Sequence, residues 1–174
     1  MFSHMAVMYA HALYSRGLVR EGYTILDGIY QHCKNFSISR IYPGIPEYID
    51  AKGRGAYAFL TGSASWLLLT LLTEAFGVKG RLGDLVFEPQ LVREQFDSAG
   101  DAGAETYFAG KKLQVIYHNS TRLDYGAYRI ETIRVNDRPL AFEQRGDAAM
   151  ITRNTISALS DHKLHRVDIE LVKR

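Results

Sequence analysis

An α+β fold, helices first and an antiparallel β-sandwich after them, is predicted by three observations. Apolar residues recur at helical spacing up to about position 80; after Gly83 the spacing shortens to alternation; and Gly, Asn, Asp and Pro break up the second half at short intervals. At 174 residues and 47% apolar content the chain has material for one compact domain or two small ones, and disorder is excluded.

The first helix is predicted from Phe2, Met5, Ala6, Tyr9, Ala12 and Leu13, stopping at Gly17. No capping residue precedes this pattern, although Ser3 could cap a slightly shorter helix. Tyr23, Leu26, Ile29, Tyr30 and Cys33 predict a second helix up to Asn35. From Phe36 to Phe59 the period is lost among Pro43, Gly44, Pro46, Gly53 and Gly55. Ile41, Tyr42, Ile45, Tyr48 and Ile49 supply apolar anchors there, which predicts an ordered loop across a surface. The third helix is expected from Ser63 to Phe76, closed by Gly77. Leu67, Leu68, Leu69, Leu71 and Leu72 make it apolar around its circumference, the pattern of a helix buried on all sides. Two amphipathic helices cannot surround it. Either this is the end of a larger helical domain, or the β-domain covers one face and a homodimer partner another.

Six segments of the second half read as strands: "DLVFEP", "ETYFAG", "KKLQVIYHN", "AYRIETIRVNDRPL", "AAMIT" and "HRVDIELV", with "NDRP" as a turn. Their spacing predicts a sandwich. Phe96 to Ala104, polar and glycine-containing, is predicted to be loop.

A net charge of +2, with no run of Lys or Arg longer than two, argues against nucleic-acid or polyphosphate partners. The lone cysteine, Cys33, cannot form an internal disulfide and ends an apolar stripe, so it is expected to be buried and inert in a reduced, cytoplasmic setting. The N-terminus lacks the features of a signal peptide. The longest apolar run, Trp66 to Leu72, is too short to span a membrane.

Thr61-Gly62-Ser63 stands at the head of the third helix, where unpaired N–H groups and the helix dipole favour an anion. Gly62 would let backbone approach a ligand, and Thr61 and Ser63 offer hydroxyls. Lys52 and Arg54, in "KGRG", could add positive charge, Arg54 by clamping a phosphate. Equally, Thr61 or Ser63 is simply the helix cap. His4 and His11 are a weak metal signal without carboxylate or Cys partners. His162 and His165 are expected at a surface turn, and Trp66 in the core.

Together, "FSHMAVMYAHALYSRG", "YPGIPEY" and "YAFLTGSASWLLLTLLTEAFGVKGRLGDLVFEP" resemble the C-terminal part of the cellobiose phosphorylase family, glycoside hydrolase family 94. Thr61, Gly62, Ser63, Ala64 and Trp66 match its Thr-Gly-(Ser/Thr)-Ala-x-Trp motif. Gly77-Val78 matches the family's downstream turn, and Glu88-Pro89 the end of its next strand. The likeness is dense to Pro89 and looser beyond. Its loop is closer to the β-1,2-oligoglucan phosphorylase branch. The resemblance implies that residues 1–80 are the last helices of an (α/α)6 barrel and 81–174 a jelly-roll-like β-sandwich. It implies that Thr61 and Gly62 bind inorganic phosphate, with Ser63, Lys52 and Arg54 alongside, and that Glu47 and Tyr48 border the acceptor sugar. Without the family, Tyr48 would anchor the loop and Glu47 would be solvated. Family members cleave a β-glucoside with inversion, phosphate attacking while a carboxylic acid protonates the leaving oxygen. Phosphate is a co-substrate; no metal or organic cofactor is implied. The expected partners are a short β-linked gluco-oligosaccharide, phosphate, and either the missing N-terminal barrel portion or a homodimer partner. Two departures stand out. Lys52 occupies a position where many members have His, and nothing in the chain matches the family's acidic Asp, so no catalytic residue is assigned. A non-catalytic relic, or a sugar- or phosphate-binding module that completes a partner chain, is the alternative.

Overall fold

The computed structural model describes residues 1–59 and 61–174. The fold is α+β, and the chain divides into two compact units, Met1–Glu74 and Ala75–Arg174. The change falls ahead of the predicted Gly80 because Val78–Arg81, too polar to read as a strand, pairs into the second unit's sheet.

In the first unit α1 (Ser3–Ser15) and α2 (Val19–Lys34) form a helical hairpin closed at Gly17. The face of α2 that is buried includes the predicted Leu26, Ile29 and Cys33. For α1 the predicted stripe is corrected: Ser3, Val7, Ala10, Leu13 and Tyr14 are buried, whereas Met5 and Tyr9 are exposed. α1 carries apolar residues on two sides, so periodicity could not choose between them. The choice follows Gly22, against which the Tyr14 ring packs so closely that a Cβ there would lie 2.6 Å from it.

The segment after α2 is ordered but not featureless. It holds the short helix α3 (Phe36–Ser39) and a two-stranded hairpin, β1 (Tyr48–Ile49) with β2 (Gly55–Ala56). Residues Met1 to Ser3 run along the other side of β1: Ile49 N–H donates to Met1 O and Ser3 N–H to Glu47 O. Ser3 therefore begins α1 rather than capping it. Next, α4 (Gly62–Leu69) continues into a π-helical turn, Thr70–Ala75. Thr70 and Thr73 hydroxyls donate back to the Trp66 and Leu69 carbonyls, the kind of side-chain competition that loosens an α-helical ladder. The expectation of burial on all sides is not met, since Leu68 is 61% and Leu69 44% exposed.

The second unit has two sheets. One has the order β3-β4-β10-β9 and is formed by β3 (Val78–Arg81), β4 (Asp84–Phe87), β9 (Glu143–Arg145) and β10 (Ala148–Ile151). The other has the order β5-β6-β11-β7-β8, from β5 (Asp101–Phe108), β6 (Lys111–His118), β7 (Tyr128–Val135), β8 (Arg138–Pro139) and β11 (Leu164–Lys173). A short α5 (Arg153–Ser157) links β10 to β11. The larger sheet buries one face, through Leu113, Val115, Tyr117, Ile130, Ile133, Val167 and Ile169, while β4 and β10 of the smaller one are buried on both. Tyr128 binds the strand exit after β4: its hydroxyl accepts from Leu91 N–H at 2.8 Å and donates toward the Leu91 and Pro89 carbonyls.

Two differences from expectation concern pairing, and a third concerns burial. β5 begins at Asp101, inside the predicted loop, because Asp101 to Ala104 pair with His118 to Val115 although their small and polar side chains carry no strand signal. β11 runs parallel to β6, so the sheet is mixed. His165 is 2% exposed rather than superficial: its Nε2–H donates to Ser160 O and its Nδ1 accepts from the Asn136 amide in the "NDRP" turn. Asn136 and Asp137 there both have positive φ, the two-residue turn whose twist suits a hairpin. No helix is long and apolar enough to cross a membrane among the described residues.

Candidate functional site

The Thr61 and Ser63 hydroxyls at the head of α4 are turned toward the protein. Thr61 caps the helix, its Oγ1 accepting from Ala64 N–H at 3.0 Å and donating to Ile45 O at 3.0 Å. Ser63 is fully buried and its hydroxyl donates to Pro46 O at 2.6 Å. Its backbone N–H donates to Glu47 Oε2 at 3.1 Å. A carboxylate of this same chain thus occupies the place where the dipole favours an anion. The capping reading of Thr61 holds, and both hydroxyls, expected to face phosphate, are engaged with the loop carbonyls.

Glu47 is held from the other side as well. His4 Nδ1 lies 2.9 Å from Glu47 Oε1, brought there by the pairing of Met1 to Ser3 with β1. Burial opposes the charge on Glu47, but the Ser63 N–H and the His4 ring outweigh it and hold the carboxyl below the usual range. Gly62 has a defined duty. The His4 ring lies so close that a Cβ on Gly62 would sit 2.4 Å from its Cε1 and 2.5 Å from Nδ1. What the absent side chain admits in this structure is an imidazole.

Beside Glu47 lies an aromatic ledge. Tyr48 stacks on Phe2 with ring centroids 4.9 Å apart and planes 11° from parallel. Tyr57, 74% exposed and at positive φ, meets Tyr48 edge-on. Tyr48 does anchor the loop, as its residue type alone suggests, yet it stays about half exposed.

Lys52 and Arg54 lie in the turn between β1 and β2. Asp50 accepts from the backbone N–H of both and from Arg54 Nε at 3.0 Å, and the Arg54 guanidinium completes an ion pair with it at 2.9 Å. These contacts hold Asp50 below the usual carboxyl range, the Arg54 N–H contributing most. The loop is further tied by His32 Nε2 to Gly53 O at 2.7 Å. The arginine expected to clamp an anion is therefore turned to a carboxylate four residues away. His11 bonds Thr70 and packs edge-on to Trp66, which is half-buried rather than core. Cys33 is buried and burial pushes its thiol up, as expected for an inert cysteine.

A second polar cluster lies on the open face of the larger sheet. His118 Nδ1 and Nε2 each stand 2.8 Å from a carboxylate, Asp101 and Asp168 respectively, and Arg166 also binds Asp168. Arg134, Asp137 and Glu170 complete the walls of an adjoining cleft of about 380 Å³. Each carboxylate takes a different ring nitrogen, so the three groups do not converge on a point. Among the described residues no group of three or more His, Cys, Asp or Glu is arranged to hold a metal.

The family resemblance pointed to Glu47 and Tyr48, and nothing in the sequence marked His4 or Phe2 as their partners. They lie more than forty positions earlier, and only the strand-like course of Met1 to Ser3 reveals the connection. Neither known protein families nor curated proteins give a match to this chain.

Proposed function

We propose that residues 1–74 carry a saccharide site and that the chain acts as the C-terminal part of an inverting β-glucoside phosphorylase, a hexosyltransferase that uses inorganic phosphate on short β-glucans. The observation that carries this reading is the pinned Glu47 carboxylate beside the half-exposed Phe2–Tyr48–Tyr57 ledge. A carboxylate fixed on two sides accepts hydroxyl protons without reorganising, and exposed aromatic rings give a sugar's C–H face a flat apolar support. The uncovered leucines of α4 fit a helix whose remaining neighbours belong to an (α/α)6 barrel outside these 174 residues, with the strand unit as its jelly-roll-like companion. The general acid would come from that portion too.

Phosphate would enter at Thr61 and Gly62. Because the Thr61 hydroxyl donates to Ile45 O, phosphate binding there requires that bond to be exchanged. For this reason the sugar half of the site is the better supported. A second reading, a non-catalytic sugar-binding module, is favoured by the same inward-turned hydroxyls and by the pairing of Arg54 with Asp50.

The test is an NMR titration of the chain with β-1,2- and β-1,4-linked gluco-oligosaccharides and, separately, with inorganic phosphate. Sugar should shift Tyr48 and Tyr57 resonances, and phosphate should shift Thr61 and Gly62 amides. Sugar shifts without phosphate shifts select the binding module. No response to either at tens of millimolar would sink both readings.

A further inference from the structure

We infer that His4 is the positioning residue of the saccharide site, holding the Glu47 carboxylate in the orientation in which it receives sugar hydroxyls; this rests on the function proposed above. Three features lead to it. Glu47 Oε1 has the His4 Nδ1 contact at 2.9 Å, while Oε2 is taken by Ser63. With Oε2 fixed on the helix head, the His4 bond is what sets the rotation of the carboxylate plane. Second, His4 Nε2 is buried with no hydrogen-bond partner among the described residues. A buried N–H without an acceptor is costly, so the tautomer that suits this place carries its proton on Nδ1 and donates it to Glu47. Third, the ring is itself confined. It lies against Gly62, where a Cβ would be 2.4–2.9 Å from three of its atoms, and Phe2 meets it edge-on at 5.8 Å.

The arrangement assigns a joint role to residues that the sequence keeps apart. Phe2 supports Tyr48 on one side and His4 on the other. Gly62 is required so that the imidazole can reach Glu47. His4 touches no sugar in this scheme; it acts through the carboxylate.

Two substitutions at position 4 separate the donor from the bulk. Asn can place an amide N–H near the Nδ1 position, whereas Leu keeps the bulk and removes the donor. The experiment follows the Glu47 carboxyl carbon by NMR through a pH titration, and measures binding of β-1,2-linked glucotriose, in the whole chain and in His4→Leu, His4→Asn and Gly62→Ala. Expected for His4→Leu are a Glu47 midpoint displaced upward and an affinity about tenfold lower, the loss typical of one hydrogen bond to a charged group. His4→Asn should recover most of both, and Gly62→Ala should behave like His4→Leu because it displaces the ring. A Glu47 midpoint unmoved in His4→Leu, or unchanged sugar affinity in that variant, overturns the inference while leaving the saccharide site standing. Absence of sugar binding by the unmodified chain overturns the site and this role together. A Gly62→Ala variant that loses phosphate shifts but keeps the Glu47 midpoint would assign the glycine to phosphate alone and also overturn the inference.

Discussion

At the scale of single residues the chain uses few groups for several contacts each, and this makes their removal measurable. Thr61 both caps α4 and donates to Ile45 O. Thr61→Val should lower stability by about 1–2 kcal/mol, the cost of a lost cap, seen as a lower denaturation midpoint with unchanged slope. His118 is the clearest titrating group. Burial works against its charge, but its bonds to Asp168 and Asp101 prevail and raise its pKa. A group whose folded pKa is raised stabilises fully below its unfolded value, about 6.5 for His, and loses that contribution as pH rises through the folded value. His118→Gln should therefore cost about 1–3 kcal/mol near pH 5.5, and the gap from the unmodified protein should close toward pH 9. Equal loss at both pH values would show that packing, not charge, is the contribution.

Among elements, close approach and strand exit are the points of control. Gly22 is where α2 meets the Tyr14 ring on α1. Gly22→Ala should improve helix propensity yet destabilise by about 1–3 kcal/mol, because overpacking outweighs that gain; thermal melts would show the sign. Tyr128 closes the exit of β4 with one hydroxyl and three backbone groups. Tyr128→Phe should cost about 1–3 kcal/mol by leaving buried backbone groups unpaired, and Leu91 N–H should gain hydrogen exchange if that is the mechanism. Most elements were legible in the sequence because each has its own period: the helical hairpin, the third helix, and β4, β6, β7, β10 and β11. β3, β9 and the start of β5 were not. Their residues, Val78–Arg81, Glu143–Arg145 and Asp101–Ala104, are polar or small, and a neighbouring strand's hydrogen bonds rather than their own side chains make them strands.

For the molecule as a whole, apolar surface is unevenly distributed. Among the large apolar residues that are exposed, Met5, Tyr9, Tyr57, Phe59 and Leu68 lie in the first unit, against Leu82, Tyr107 and Leu164 in the second. An apolar groove of about 550 Å³ between α1 and α2 adds to the uncovered area. Surfaces of this kind drive association. Sedimentation of the purified chain should show concentration-dependent self-association, and the double variant Leu68→Glu, Leu69→Glu should reduce it. A sharply monomeric species at high concentration would count against the reading of α4 as a helix awaiting neighbours.

Sequence alone determined the α+β order, the positions of the main helices and strands and the loop that holds Glu47 and Tyr48, because local spacing and turn chemistry act within a few residues; it left the cap open between Thr61 and Ser63. Tertiary structure decided which face of α1 is buried, the parallel pairing of β6 with β11, the burial of His165 and the union of His4, Glu47, Gly62 and Ser63. Those outcomes depend on contacts between separate elements, whose geometry no local period encodes.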